Sequence, residues 1–142
     1  MFENIRLRPD QEGTRVVLHD LEADIMDEVW SRNWDAFSVR DALEILQEGR
    51  DIAYTTVMTT VKRLFDKGLL DRHKEGRRYI YRPVLGREEF HAQMAVEVMR
   101  SLPESGRDVA MSLLVDELED TGALSRLEEL IAAKKEQGER DE

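Results

Sequence analysis

Tyr54-Thr-Thr-Val-Met-Thr-Thr-Val-Lys-Arg-Leu-Phe-Asp-Lys67, closed by Gly68, is the stretch on which the fold turns. Val57, Val61, Leu64 and Phe65 recur at helical spacing and predict one buried stripe, with Gly68 as the stop. The remaining surface carries Thr55, Thr56, Thr59, Thr60, Arg63 and Lys67. Threonine is a poor helix former because branching at Cβ restricts its rotamers, and a helix needing only solubility would carry Glu, Lys or Gln. Short side chains ending in a hydroxyl and a methyl do something else. They let a helix approach base edges closely while neighbouring basic groups hold phosphates.

Downstream, Leu69-Leu-Asp-Arg-His-Lys74 and Arg78-Tyr-Ile-Tyr-Arg-Pro83 alternate around Glu75-Gly76-Arg77 and predict a β-hairpin with Gly76 in the turn. Its tip is basic: Arg72, Lys74, Arg77 and Arg78. Tyr79 and Tyr81 share a strand face and are read as core or hairpin support rather than as a nucleotide-stacking pair.

Upstream, Leu21, Ile25, Met26, Val29 and Trp30 predict a helix from Asp20 to Arg32, with Asp20 at or beside its N-cap and Asn33 at its exit. Phe37-Ser38-Val39 suits one short strand. A second helix over Val39–Glu48 buries Val39, Ala42, Leu43 and Leu46, with Gly49 as C-cap. Helix, short strand, helix, helix, basic hairpin is the order of a winged helix-turn-helix. In that arrangement the third helix enters the major groove and the hairpin lies along the backbone.

Beyond Pro83 the chain reads as helical: Arg87–Leu102 with Phe90, Met94, Val98 and Leu102; Arg107–Asp120 with Val109, Leu113, Leu114 and Leu118; Ala123–Lys135 with Leu124, Leu127, Leu130 and Ile131. Pro103–Gly106 and Thr121-Gly122 break the run. Three such helices make a poor solitary core. Self-association is expected to cover their stripes, the alternative being packing back on the same chain's first domain, and Phe90, Met94, Val98, Leu102, Val109, Leu113, Leu114, Leu118, Leu127, Leu130 and Ile131 are the expected dimerisation residues.

The expected fold is mainly α with a small β-hairpin wing. It divides into a loose arm over 1–17, a winged helix over 18–83, a helical dimerisation region over 84–136 and a charged, frayed tail over 137–142.

Charge follows the same division. The chain of 142 residues carries a formal −10, which alone argues against a polyanionic partner. Residues 1–49 hold 5 basic and 12 acidic side chains and residues 84–142 hold 7 and 15, whereas residues 50–83 hold 9 and 4. The predicted helix and wing are thus a net +5 island between segments of −7 and −8. Screening acts over about 8 Å at physiological salt, so distant acidic surface does little harm to a local positive face.

The stretches Leu18–Trp30, Ala53–Gly68 and His73–Pro83 resemble the first helix, recognition helix and wing of the penicillinase-repressor (BlaI/MecI/CopY) group of transcriptional regulators. The run Ala-Tyr-Thr-Thr-Val-Met-Thr carries the resemblance most specifically. It implies a homodimer that represses genes by occupying palindromic operators on double-stranded DNA. It also implies signalling by a membrane sensor protease, through a cut in the dimerisation region at an Asn-Phe pair. The corresponding stretch here reads Leu113-Leu114-Val115. The copper-responsive branch ends in Cys-x-Cys, and this chain has no cysteine.

Thr55, Thr56, Thr59, Thr60 and Arg63 are the candidate base readers. Lys62, Lys67, Arg72, Lys74, Arg77 and Arg78 are the candidate phosphate contacts. His19, His73 and His91 lack ligand spacing, so neither metal nor cofactor is expected, and no nucleophile–base pairing suggests an enzyme. No apolar run has signal-peptide or membrane-spanning length, and cytoplasmic residence is expected. The competing reading is a winged helix used as a protein-interaction module, favoured by the acidic total and disfavoured by the threonines and basic hairpin.

Overall fold

The computed structural model describes residues 2–3 and 5–141 of the chain. Two compact units divide between Met94 and Ala95.

In the first unit, α1 (Asp20–Ser31) has His19 as its N-cap and Asp20 beside it, with Glu22 reaching back to the His19 amide. Asn33, at φ 55°, turns the chain out of the helix. Phe37 then forms a single antiparallel bridge to Tyr81. Ser38 caps α2 (Val39–Gln47) in a reciprocal pair, accepting from the Asp41 amide at 3.2 Å while its own amide donates to Asp41 at 2.8 Å. Glu48, not Gly49, is the C-cap of α2, and its backbone stays right-handed. After α3 (Tyr54–Lys67), Gly68 takes the left-handed φ of 93° that a side chain would resist.

The hairpin pairs β1 (Leu70–Glu75) with β2 (Arg78–Pro83) around a two-residue loop, Gly76-Arg77, with Gly76 at φ 66°. Leu70 and Tyr81 are buried at its base. Phe37, Met26, Val57, Val61 and Leu64 share that core, so the helices and the root of the wing form one packed body.

Residues 2–3 and 5–17 are not a loose arm. Phe2 meets Phe90 edge to face, with ring centres 5.3 Å apart. The Glu3 amide donates to the Lys67 carbonyl, and a 3-10 turn over Gly13–Val16 buries Thr14. Arg8 Nη2 donates to the Leu18 carbonyl at 2.7 Å and to Asp20 at 3.0 Å. Arg15 pairs with Asp20 and Asp24, and Arg50 joins through Asp24. Asp20 consequently titrates below its ordinary value, through hydrogen bonds first from Arg8 and then from Arg15.

The first unit also runs past the expected boundary at Pro83. Trp30 Nε1 donates to the Leu85 carbonyl at 2.9 Å, and α4 (Arg87–Ser101) begins inside this unit. Phe90 and Met94, expected to face a partner, are buried in the same core as α1. Of the expected stripe of this helix, only these two residues are buried, and the first unit's own core covers them.

In the second unit, Pro103 is the N-cap of α5, which spans Glu104–Thr121 and so takes in residues 104–106 of the expected break. Gly122, at φ 78°, ends it. The last helix, α6 (Leu124–Asp141), continues through the expected frayed tail, where Arg140 pairs with Glu136 one turn back at 3.2 Å. Neither α5 nor α6 buries a residue.

Candidate nucleic-acid interface

A residue turns 100° around a helix axis relative to its neighbour. With Val57, Val61 and Leu64 inward, the ridge pointing directly away is Thr55, Thr59, Lys62 and Asp66. Thr56 and Arg63 lie on one flank of that ridge, Tyr54 and Met58 on the other. All eight are exposed. Thr59 fits a helix because its hydroxyl donates to the Thr55 carbonyl at 2.8 Å, leaving its methyl and an acceptor lone pair outward. Lys62 reaches Asp66 at 3.3 Å in an exposed pair that a phosphate can displace.

Three expected contacts lie elsewhere. Thr60 is 4% exposed, and its hydroxyl donates inward to the Thr56 carbonyl, so it cannot read a base. Lys67 is turned into the core, with Nζ 2.9 and 2.8 Å from the two carboxylate oxygens of buried Glu22, and is no phosphate contact. Both sit on the Val57–Leu64 side of the helix, where their polar groups were mistaken for surface. Arg72 is half-buried, its guanidinium carbon 4.0 Å from the Phe65 ring centre and 4.1 Å from that of Tyr79.

Lys74, Arg77 and Arg78 stay exposed at the outer end of the hairpin. Between the wing, α2 and α3 lies a groove of ≈ 370 Å³ whose lining includes Ser38, Arg40, Tyr54, Met58, Arg77, Arg78 and Tyr79 and no acidic residue. Arg40, Tyr54 and Met58 escaped the sequence reading. The signal for Arg40 was its place just after capped Ser38, where the helix preceding a recognition helix crosses the DNA backbone. Met58, four residues after Tyr54, shares its outward flank of α3. Tyr81 faces the core while Tyr79 is partly open, with ring centres 6.3 Å apart.

In the second unit Val109, Leu113, Leu114, Leu130 and Ile131 are exposed, and Val98, Leu102, Leu118 and Leu127 half-exposed. Met111 and Val115 add to this apolar surface. Among the described residues, no group of three or more His, Asp or Glu side chains could hold a metal ion, and no helix is long and apolar enough to cross a membrane.

Three helices carrying a hydroxyl-rich third helix and a cationic hairpin define a winged helix-turn-helix of the DNA-binding kind. Residues 18–133 match the penicillinase repressor family model, and the chain belongs to that family of transcriptional repressors, which are not enzymes. It is 41% identical over 106 residues to the transcriptional regulator BlaI of Mycobacterium tuberculosis, covering 75% of each chain. A 16.5 kDa protein of Latilactobacillus sakei is 30% identical over 115 residues, covering 80% of this chain and 77% of that one. The penicillinase repressor of Bacillus licheniformis is 26% identical over 73 residues, covering 51% and 56%. The solution structure of the DNA-binding domain of the repressor BlaI is 26% identical, with a TM-score of 0.45, over 51% of this chain and 85% of that one.

Proposed function

We propose that this chain is a homodimeric repressor that occupies palindromic operators in the cytoplasm and excludes polymerase from the promoter. α3 enters the major groove. Thr55, Thr56, Thr59 and Arg63 read base edges, with Met58 against thymine methyl groups, while Lys62, Lys74, Arg77, Arg78 and Arg40 take phosphates. The observation that carries this reading is the exposed ridge of α3 beside a groove lined by Arg40, Arg77 and Arg78 and by no carboxylate. Purely hydrophilic solubility would not require that segregation in a chain of net charge −10.

The exposed leucines of α5 and α6 support pairing with a second copy, which brings two α3 helices to successive turns of a duplex. The chain contains no Asn-Phe pair, so a membrane sensor protease would have to act at another bond.

A salt titration of binding to the chain's own promoter DNA tests the reading. Affinity falls steeply and linearly with log salt, and Arg63→Ala relaxes preference at one operator position by about 1–3 kcal/mol. Binding without a steep slope would instead favour a protein-interaction module.

A further inference from the structure

We infer that Arg72 is a positioning residue for DNA binding: its guanidinium, held between Phe65 of α3 and Tyr79 of β2, sets the wing on the recognition helix and takes no phosphate. The inference rests on the DNA-binding reading above.

The geometry follows from strand parity. Leu70, Arg72 and Lys74 share one face of β1, opposite Pro83, Tyr81 and Tyr79. Burial on that face decreases outward, from Leu70 and Tyr81 in the core, through half-buried Arg72, to exposed Lys74 and Tyr79. Arg72 therefore occupies the step where the hairpin leaves the core. Tyr79 is its diagonal cross-strand neighbour, within reach of a long side chain. Phe65 comes from the last turn of α3, on the flank nearest the wing.

A guanidinium is planar and weakly hydrated, so both its faces can lie against aromatic rings. Distances of 4.0 and 4.1 Å to the two ring centres put the Arg72 guanidinium in contact with both rings at once. Arg77 in the loop and Arg78 at the start of β2 are exposed and, among the described residues, have no aromatic ring stacked on the guanidinium. Beyond Tyr81, where Ile80 is also buried, this stack ties the wing to the last turn of α3. An isolated two-stranded hairpin is marginal in water, so its projection needs such a brace.

A phosphate contact and a brace differ in salt dependence. Removing one phosphate contact lowers the slope of log affinity against log salt by about 0.9. Removing a brace adds an ordering cost on the way to the same bound state, in which Lys74, Arg77 and Arg78 keep their phosphates, so affinity falls at every salt concentration and the slope stays. Arg72→Ala should therefore bind operator roughly five- to thirtyfold more weakly with the wild-type slope, while Arg77→Ala loses slope. Hydrogen exchange in residues 70–83 of the free protein should rise in Arg72→Ala and not in Arg77→Ala. Phe65→Leu keeps Arg72 and the apolar packing but removes one side of the stack. It should reproduce the affinity loss and the faster exchange should Arg72→Ala fail to fold. A slope loss in Arg72→Ala equal to that of Arg77→Ala, unchanged affinity, or unchanged exchange overturns the inference alone. A wild-type protein lacking a steep slope overturns the DNA-binding reading and the inference with it.

Discussion

The Thr60 hydroxyl hydrogen is spent on the Thr56 carbonyl inside a site that is 4% exposed. Thr60→Val keeps the shape and removes a bond worth about 0.5–1.5 kcal/mol. It should cost at most that much stability and leave operator preference unchanged, which thermal unfolding and a binding-site selection would measure. Altered preference would return Thr60 to the reading face. Lys67 poses the opposite case. Its pair with Glu22 is nearly dry, with side-chain exposures of 12% and 3%. Lys67→Met leaves the Glu22 carboxylate buried without its cation and should cost about 3–5 kcal/mol, whereas replacing both partners with apolar residues recovers most of it. The salt slope of DNA binding should not change in either variant. A lower slope in a folded Lys67→Met protein would mean that the ammonium leaves Glu22 for a phosphate.

Among the elements, α3 and the wing were legible from the sequence because their limits are written locally. Gly68 and Gly76 take left-handed backbone, and the Val57, Val61, Leu64 spacing names the inner face. The arm was not. Its anchors are a ring edge between Phe2 and Phe90 and an Arg8 guanidinium on the Leu18 carbonyl, contacts between distant residues that no periodicity announces. The arm's charged half predicts an acid response. Asp20 titrates below its ordinary 3.8 because Arg8 and Arg15 donate to its charged form. Its contribution is therefore complete above the unfolded value and disappears as pH falls through the lowered one. Hydrogen exchange across residues 8–20 should rise below about pH 4 in the wild type and be raised already at neutral pH in Asp20→Asn, with the α3 core still protected. Equal exchange in both proteins at neutral pH would show that the Arg8 bond to Leu18 alone holds the segment.

At the scale of the whole molecule, the proposed dimer rests on the exposed apolar surface of α5 and α6. A pair of helices with no buried residue gains little from folding alone, since apolar burial contributes about 25 cal/mol per Å² and an open helix pair supplies little area. Val109, Leu113, Leu114, Leu130 and Ile131 would gain that burial against a second copy, and a two-fold axis repeats each contact twice. A single carboxylate placed at such a contact is counted twice as well, and unpaired burial of a charge is costly enough to undo the association. Leu113→Glu combined with Leu114→Glu should convert a dimer to a monomer in sedimentation, with Trp30 and the first unit's thermal transition unchanged. The monomer keeps one α3 and one wing, so it loses the gain from engaging two half-sites about 34–36 Å apart, while its binding to a single half-site is unaltered. A double variant that still sediments as a dimer would place the interface on some other surface of the chain. A monomer that protects a full palindrome as well as the wild type does would separate repression from dimerisation altogether.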